Sequence, residues 1–297
     1  MKNLKVNQNN ITVALCTFNG SLYIEKQLDS ILAQTHPIDE IIIVDDCSSD
    51  STREILINYE ARFENIKLFF NDVNLGSNGA FKYAMALSNN EFIALCDQDD
   101  IWNDNKIETQ MNLLSDSNYS SRTPLVIFHD LCLMDQSGTI KYGSFWKVHK
   151  FNAEKFDFKK LFITNIVTGC TCIINKSMKD EVLKCDMKHI LMHDYLIALI
   201  GYGYGNVAYI NEPLMYYRSH SSSVTVKEKI TLQMRIFSFY SRVKTGKYLM
   251  PHILQMKQFK NLYWGKLDSE KQRSISSFIN LENKSILYKI FYKWLTI

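Results

Sequence analysis

Cys96-Asp97-Gln98-Asp99-Asp100-Ile101-Trp102 sets three carboxylates within four residues, directly behind the apolar run Phe92-Ile93-Ala94-Leu95. An apolar run that ends in an acid cluster reads as a strand delivering charge to its carboxyl end. Three like charges this close repel one another, and they become favourable together when a hard divalent cation or a set of donors neutralises them. The stretch therefore predicts a Mg or Mn site. Capping the next helix would need only one acid, and Asn103 or Asp104 before Lys106-Ile107 could serve. A calcium loop of the EF-hand kind would begin at Asp97 and find Glu108 at its twelfth position, but Trp102 stands at the sixth, where a glycine must turn the chain.

Upstream, Ile11-Thr-Val-Ala-Leu-Cys-Thr-Phe18 is β-branched and apolar with little polar alternation, the pattern of a strand buried on both faces of a parallel sheet. Asn19-Gly20 ends it. Leu22, Tyr23, Ile24, Leu28, Ile31 and Leu32 then recur at helical spacing, with Ser21 as a candidate cap and Pro37 closing the connection. A second strand, Glu40 to Val44, runs into another acid-rich loop, Asp45-Asp46-Cys47-Ser48-Ser49-Asp50, before a helix carrying Ile55, Leu56, Tyr59 and Phe63. Ile66 to Phe70 predicts a third strand, Ala80 to Leu87 a third helix, and Phe92 to Cys96 the fourth strand. Strands alternating with helices argue for right-handed β-α-β units and a parallel sheet with helices on both faces, an α/β fold. In open sheets of this type ligands sit outside the carboxyl ends of the strands. Phe18-Asn19, Asp45-Asp46 and Asp97 to Asp100 all fall there, so three polar clusters converge on one rim. No G-x-G-x-x-G follows the first strand and no P-loop pattern occurs, so neither dinucleotide nor P-loop chemistry is supported.

Downstream the regularity breaks. Leu125 to Asp135 predicts a strand, Gln136-Ser137-Gly138 a turn, and Thr171 to Asn175 another strand, so this half is mixed. Met192-His193-Asp194-Tyr195 opens an apolar helix, Leu196 to Ile200, that stops at the glycine run Gly201 to Gly205. Asp194 thus sits at a helix start, where the dipole favours its ionised form; a plain cap explains it as well as chemistry does. Pro213 to His220 finishes the body and Ser221 to Ser223 mark its boundary, giving a domain over residues 1–225 (first half about 11–102, second half about 103–225) and an extension over 226–297.

The chain of 297 residues, 46% apolar, is long enough for a sizeable core. Its seven cysteines are odd in number, scattered, and lack C-x-x-C spacing, so they read as buried small side chains in a reducing compartment. The polar segment Met1 to Asn10 is no secretory signal, and no apolar run is long enough to span a bilayer, which predicts a cytoplasmic protein. The net charge of +3 conceals a split: residues 227–297 carry 14 Lys and Arg against 4 Asp and Glu, whereas residues 1–226 carry 20 against 27. Nucleic acid is thereby an unsuitable partner, because the basic residues lie in the tail and the rim would repel a polyanion. At the chain's end Ile286, Leu287, Ile290, Phe291 and Trp294 form an apolar stripe beside Lys289 and Lys293. That helix either packs on the body or lies on an anionic membrane surface.

Across residues 11–225 these pieces together resemble the family 2 glycosyltransferases of GT-A fold, in particular their rhamnosyltransferase-like branch. The matching stretches are Thr17-Phe18-Asn19, Asp45-Asp46, Asn74-Leu75-Gly76, the Leu-Cys-Asp-Gln-Asp-Asp-Ile-Trp run, Thr168-Gly169-Cys170, His193-Asp194 and Tyr217-Arg218-Ser219-His220. The resemblance implies a metal-dependent inverting transfer of a sugar from a dTDP- or UDP-linked donor (dTDP-rhamnose or a UDP-hexose). The acceptor would be a lipid-linked saccharide in bacterial surface polysaccharide synthesis, met at the inner face of the plasma membrane. It implies that Phe18 packs on the base, Cys16 offers backbone contacts, and Asp46 accepts from the base's ring N–H. Asn19, Asn74 and Asn78 would line the nucleotide pocket and Asp97 the ribose side. Asp99 would bind the Mn or Mg ion, with His220 able to complete its shell. Asp194 would be the general base, with Asp45, Asp100, His193 and Arg218 in support. The rival reading is a catalytically silent sugar-nucleotide or glycan-binding protein of the same fold.

Overall fold

Residues 10–115, 120–219 and 249–284 are described by the computed structural model. The apolar runs of the first hundred residues form β1 (Ile11–Thr17), β2 (Glu40–Asp45), β3 (Ile66–Phe70) and β4 (Phe92–Cys96), connected through α1 (Ile24–Leu32), α2 (Thr52–Glu60) and α3 (Gly76–Leu87). β1 pairs in parallel with β2 and β4, and β2 with β3. Every residue of β1, β2 and β4 is buried, which is why their sequences lack polar alternation. Val13 and Leu15 face one layer, with Ile24, Leu28, Leu56 and Ile107. Ala14 and Cys16 face the other, with Phe81, Met85 and Leu196.

The second half adds β5 (Ile101–Trp102), α4 (Lys106–Ser115), β6 (Leu125–Asp135), β7 (Ile140–Tyr142), α5 (Phe145–His149), β8 (Ile173–Asn175), α6 (Lys176–Leu183), α7 (His193–Tyr204) and β9 (Asn206–Ser219). The sheet runs β3-β2-β1-β4-β8-β6-β9-β5, with β7 on β6. β8 is antiparallel to β4 and β6, β6 is parallel to β9, and β5 is antiparallel to β9. The sheet is therefore parallel across β3-β2-β1-β4 and mixed beyond β4.

Helix α7 does not stop at Gly201, as its sequence suggests, but continues to Tyr204. A side chain at Gly201 would meet Val126 at 2.9 Å and Val207 at 3.0 Å. The glycine thus permits close packing of the helix on the sheet and is not a terminator.

The basic extension contributes α8 (Met250–Tyr263) and α9 (Ser269–Ile279). Ile253, Met256, Phe259, Tyr263, Ile275 and Phe278 are buried in the same core cluster as Phe162, Leu196 and Ile200. Burying an aromatic such as Phe259 or Phe278 fully contributes roughly 2–3 kcal/mol, so these helices are part of the body's support. The serine cluster, His220 and the apolar stripe from Ile286 to Trp294 lie outside the described residues. Among the described residues no helix is long and apolar enough to cross a membrane. All seven cysteines are free thiols.

Candidate active site

The carboxyl ends of β1, β2 and β4 open into a cleft of about 630 Å³, closed on its far side by the start of α7. Four carboxylates line it, those of Asp46, Asp97, Asp99 and Asp194, and no Lys or Arg is among the described lining residues.

On one side the β1 and β2 loops are stitched together. Thr17 donates to Asp45 at 3.0 Å, the Asn19 N–H to the Ser48 hydroxyl at 2.8 Å, and the Gly20 N–H to the Thr52 hydroxyl at 2.8 Å. Asn19 takes the left-handed conformation (φ 49°), where asparagine is among the tolerated residues. Its side-chain oxygen accepts from the Ser49 N–H. The stitching presents Phe18, 47% exposed, at the mouth as a bare aromatic face. Cys16 lines the cleft beneath it. Asp46 is buried but lines the cleft, its Oδ1 fixed by the Leu75 N–H and the Asn71 amide, each at 2.8 Å. Asp45 lies behind, paired with Arg53 at 2.6 Å.

The acid loop forms the floor. The Asp97 carboxyl is pushed up to about 7 by burial first and then by the charges of Asp99 and Asp194. Asp100 faces away from the cleft and is fully buried; burial and its acidic neighbours raise its pKa well above the usual carboxylate range. Its Oδ1 accepts from the Arg218 N–H at 3.0 Å. The Arg218 guanidinium donates to the carbonyls of Asp99 (2.8 Å) and Gln136 (3.1 Å) and lies over the Tyr23 ring. Arg218 thus braces the loop from behind and does not line the cleft. Asp97, Asp100 and Cys170 also bring ligand atoms within 4.8 Å of one another. That trio suits a hard cation poorly, because one donor is a thiol whose pKa burial raises and another is the buried Asp100.

Asp194 enters from the opposite wall in the first turn of α7. Its Oδ2 accepts from the Gly169 N–H at 3.0 Å and its Oδ1 from the Asn165 amide at 3.1 Å. Burial outweighs those donors and lifts the carboxyl to about 7. Such a group is half ionised near neutrality, which suits proton abstraction at the operating pH. His193 stacks on Phe81 at 4.1 Å, is 2% exposed, and is held neutral because burial lowers its pKa to about 3. Helix α3 contributes Phe81 and, through Lys82, a bond to the Cys185 carbonyl that ties α3 to the segment before α7.

The fold thereby brings Cys16, Phe18, Asn19, Asp46, Asp97, Asp99, His193 and Asp194 to one cleft and leaves Asp45, Asp100 and Arg218 behind it as braces. Asn78 does not line the cleft; its amide donates to the Ile190 carbonyl at 3.0 Å, joining α3 to the loop before α7. Side-chain reading of the sequence passes over Gln98, Gln136 and Asn165. Asn165 had no signal, since it precedes Asp194 by 29 residues in an irregular segment. Gln98 had one, its place between two acids of the floor.

The family model described as Glycosyl transferase family 2 matches residues 12–185. TuaG of Bacillus subtilis (strain 168), named for teichuronic acid biosynthesis, is 30% identical over 220 residues, 72% of this chain and 81% of that protein. WfgD of Escherichia coli, named as a UDP-Glc:alpha-D-GlcNAc-diphosphoundecaprenol beta-1,3-glucosyltransferase, is 33% identical over 110 residues, 37% of this chain and 43% of that protein. Among solved structures, S. aureus TarS 1-349 in complex with UDP superposes with a TM-score of 0.59 at 18% identity, covering 92% of this chain and 71% of that one. Likeness at that identity speaks to the fold alone.

Proposed function

The chain belongs to glycosyl transferase family 2, and from that membership and the charge of its cleft we propose that it is an inverting, cation-dependent transferase. It moves a sugar from a UDP-linked donor to a hydroxyl of a lipid-linked saccharide in surface polysaccharide synthesis. The observation that carries this reading is a nucleotide-sized cleft with four carboxylates and no Lys or Arg among the described lining residues. A diphosphate enters such a cleft only with a divalent cation. The residues fit that ion: Asp97 and Asp99 crowd like charges at the floor, and that crowding adds to burial in raising Asp97. Asp99 would hold the ion, with Asp97 beside it toward the nucleoside. When bound, the cation neutralises charge on the departing diphosphate.

The chain's own groups do the rest. Phe18 offers its face to the base, and Asp46, its Oδ1 fixed by two donors, is oriented to accept from the base's ring N–H. Across the cleft Asp194, ionised, takes the proton of the acceptor hydroxyl. That oxygen forms its bond to the anomeric carbon as the bond to the diphosphate oxygen breaks on the opposite face. The nucleoside diphosphate leaves and the anomeric configuration inverts. Asn165 and the Gly169 N–H hold the carboxylate during the transfer. UDP is favoured as the carrier because it carries the sugar in the donor for which WfgD is named. A peripheral position on the inner leaflet follows from a polyprenyl-linked acceptor and the basic extension.

The test is a melting-temperature panel of UDP, dTDP and GDP, each with and without Mn. It is followed by transfer from the matching UDP-sugars to a diphosphate-lipid-linked saccharide, with the product anomer read by NMR. A shift with UDP and Mn, and an inverted product, are expected; binding without transfer to any acceptor and without slow donor hydrolysis would support the silent binding protein instead.

A further inference from the structure

We infer that Gln98 is the positioning residue for the nucleoside platform, an inference that rests on the nucleotide-sugar reading above. Gln98 stands between Asp97 and Asp99, yet its side chain leaves the acid loop and clamps a different strand end. Its Oε1 accepts from the Phe18 N–H at 2.8 Å, and its Nε2 donates to the Phe18 carbonyl at 3.0 Å. An amide that makes both bonds to one residue's backbone fixes the orientation of that residue as well as its distance. Phe18 needs such fixing because it stands nearly half exposed at the cleft mouth. The adjoining Asn19 and Gly20 are already held by Ser48 and Thr52, so the amide completes the restraint at the residue that would meet the base.

Gly20 carries the complementary signature. A β-carbon there would sit 2.2 Å from Gln98 Oε1 and 2.6 Å from its Cδ, and its three nearest neighbours are all atoms of that one side chain. Gly20 is not in the left-handed region, so an alanine there is free of backbone strain. Space for the amide is therefore what the glycine provides. The clamp acts on the platform, away from Asp194 and from the acceptor side, so it governs how tightly the nucleoside is held and leaves the chemical step alone.

The experiment is a double-mutant cycle on the full chain, reading affinity for UDP in Mn, affinity for uridine, affinity for Mn alone, and kcat at saturating donor. Gln98→Ala weakens UDP about tenfold, the scale of two solvent-accessible hydrogen bonds. It weakens uridine by the same factor while Mn affinity and kcat stay within about twofold. Gly20→Ala, which displaces the amide, reproduces that loss, and the double variant is no worse than either single one, because the second change removes nothing further. Losses that add in the double variant would overturn the inference, as would a Gln98→Ala protein that binds UDP like the wild type or loses kcat and Mn affinity instead. If the wild type binds no nucleotide, the underlying reading fails and this one with it; if the wild type binds and the variants bind equally, this inference alone fails.

Discussion

The two walls of the cleft hold their carboxylates in opposite ways. On the β1–β2 wall every bond that stitches the loops spans 28 to 32 residues, one β-α unit, and the acids there are met by donors: Asp45 by Arg53 and Thr17, Asp46 by Asn71 and the Leu75 N–H. Floor and far wall are different. Asp97 and Asp194 are lifted to about 7 by burial, with Asp97 further raised by its acidic neighbours. The bonds bracing the acid loop reach across 118 and 119 residues, from Arg218. The first wall is finished without a ligand and suits recognition. The second holds carboxyls whose charged form burial disfavours, and suits chemistry.

The largest break in that contrast comes from Asp194→Asn, which keeps the shape of the wall and removes the proton acceptor. UDP affinity in Mn should hold within about twofold while kcat falls about 10³-fold or more, read by product formation and titration calorimetry. Asp99→Asn should come next. Its UDP affinity in Mn is expected to drop about 100-fold, toward the metal-free value, while uridine binding is little changed. Phe18→Ala tests the recognition wall and should cost about tenfold in donor affinity, the lower end of base stacking on an aromatic ring, with kcat at saturating donor preserved.

Titration sharpens the same comparison. Since Asp194 must be ionised to accept a proton, kcat/KM should rise with pH through an apparent pKa near 7, and that limb should vanish in the residual activity of Asp194→Asn. The stability sign runs the other way. A buried carboxyl whose folded-state pKa lies above its unfolded value contributes fully to stability below the unfolded pKa, near 4, and loses that contribution as pH rises through about 7. The metal-free protein should therefore melt lower at pH 8 than at pH 5.5. Asp97→Asn should raise its melting temperature at pH 8 by about 3 °C, the smallest effect of the series.

Much of the recognition wall and of the floor was legible in the sequence, because strands buried on both faces write unbroken apolar runs and the residues after them fall at one edge. Ile11 to Phe18 and Phe92 to Asp100 needed nothing else. The far wall was less so. Apart from the family resemblance, Asp194 read only as an acid at a helix start, since the partners that define its setting, Asn165 and the Gly169 N–H, come from an irregular segment. The Gly201 to Gly205 run read as a stop because sequence does not reveal that Val126 and Val207 press on Gly201. Lys106 read as an ordinary helix start, yet it is fully buried with its ammonium 3.6 Å over the Trp102 ring and its pKa lowered to about 8 by burial. A buried cation behind an acid loop depends on long-range packing, and no local pattern announces it. Asn78 shows the converse: next to the Asn-Leu-Gly stretch it read as a pocket residue, but its amide is drawn away to the Ile190 carbonyl.

The claim that the cleft takes a nucleoside diphosphate only together with a divalent cation is tested most directly by titrating UDP into the full chain in Mn and again in EDTA. The account predicts micromolar binding in Mn and at least about 100-fold weaker binding in EDTA, a difference of about 2.7 kcal/mol. Equal affinity in the two titrations, or no binding in Mn, would contradict it.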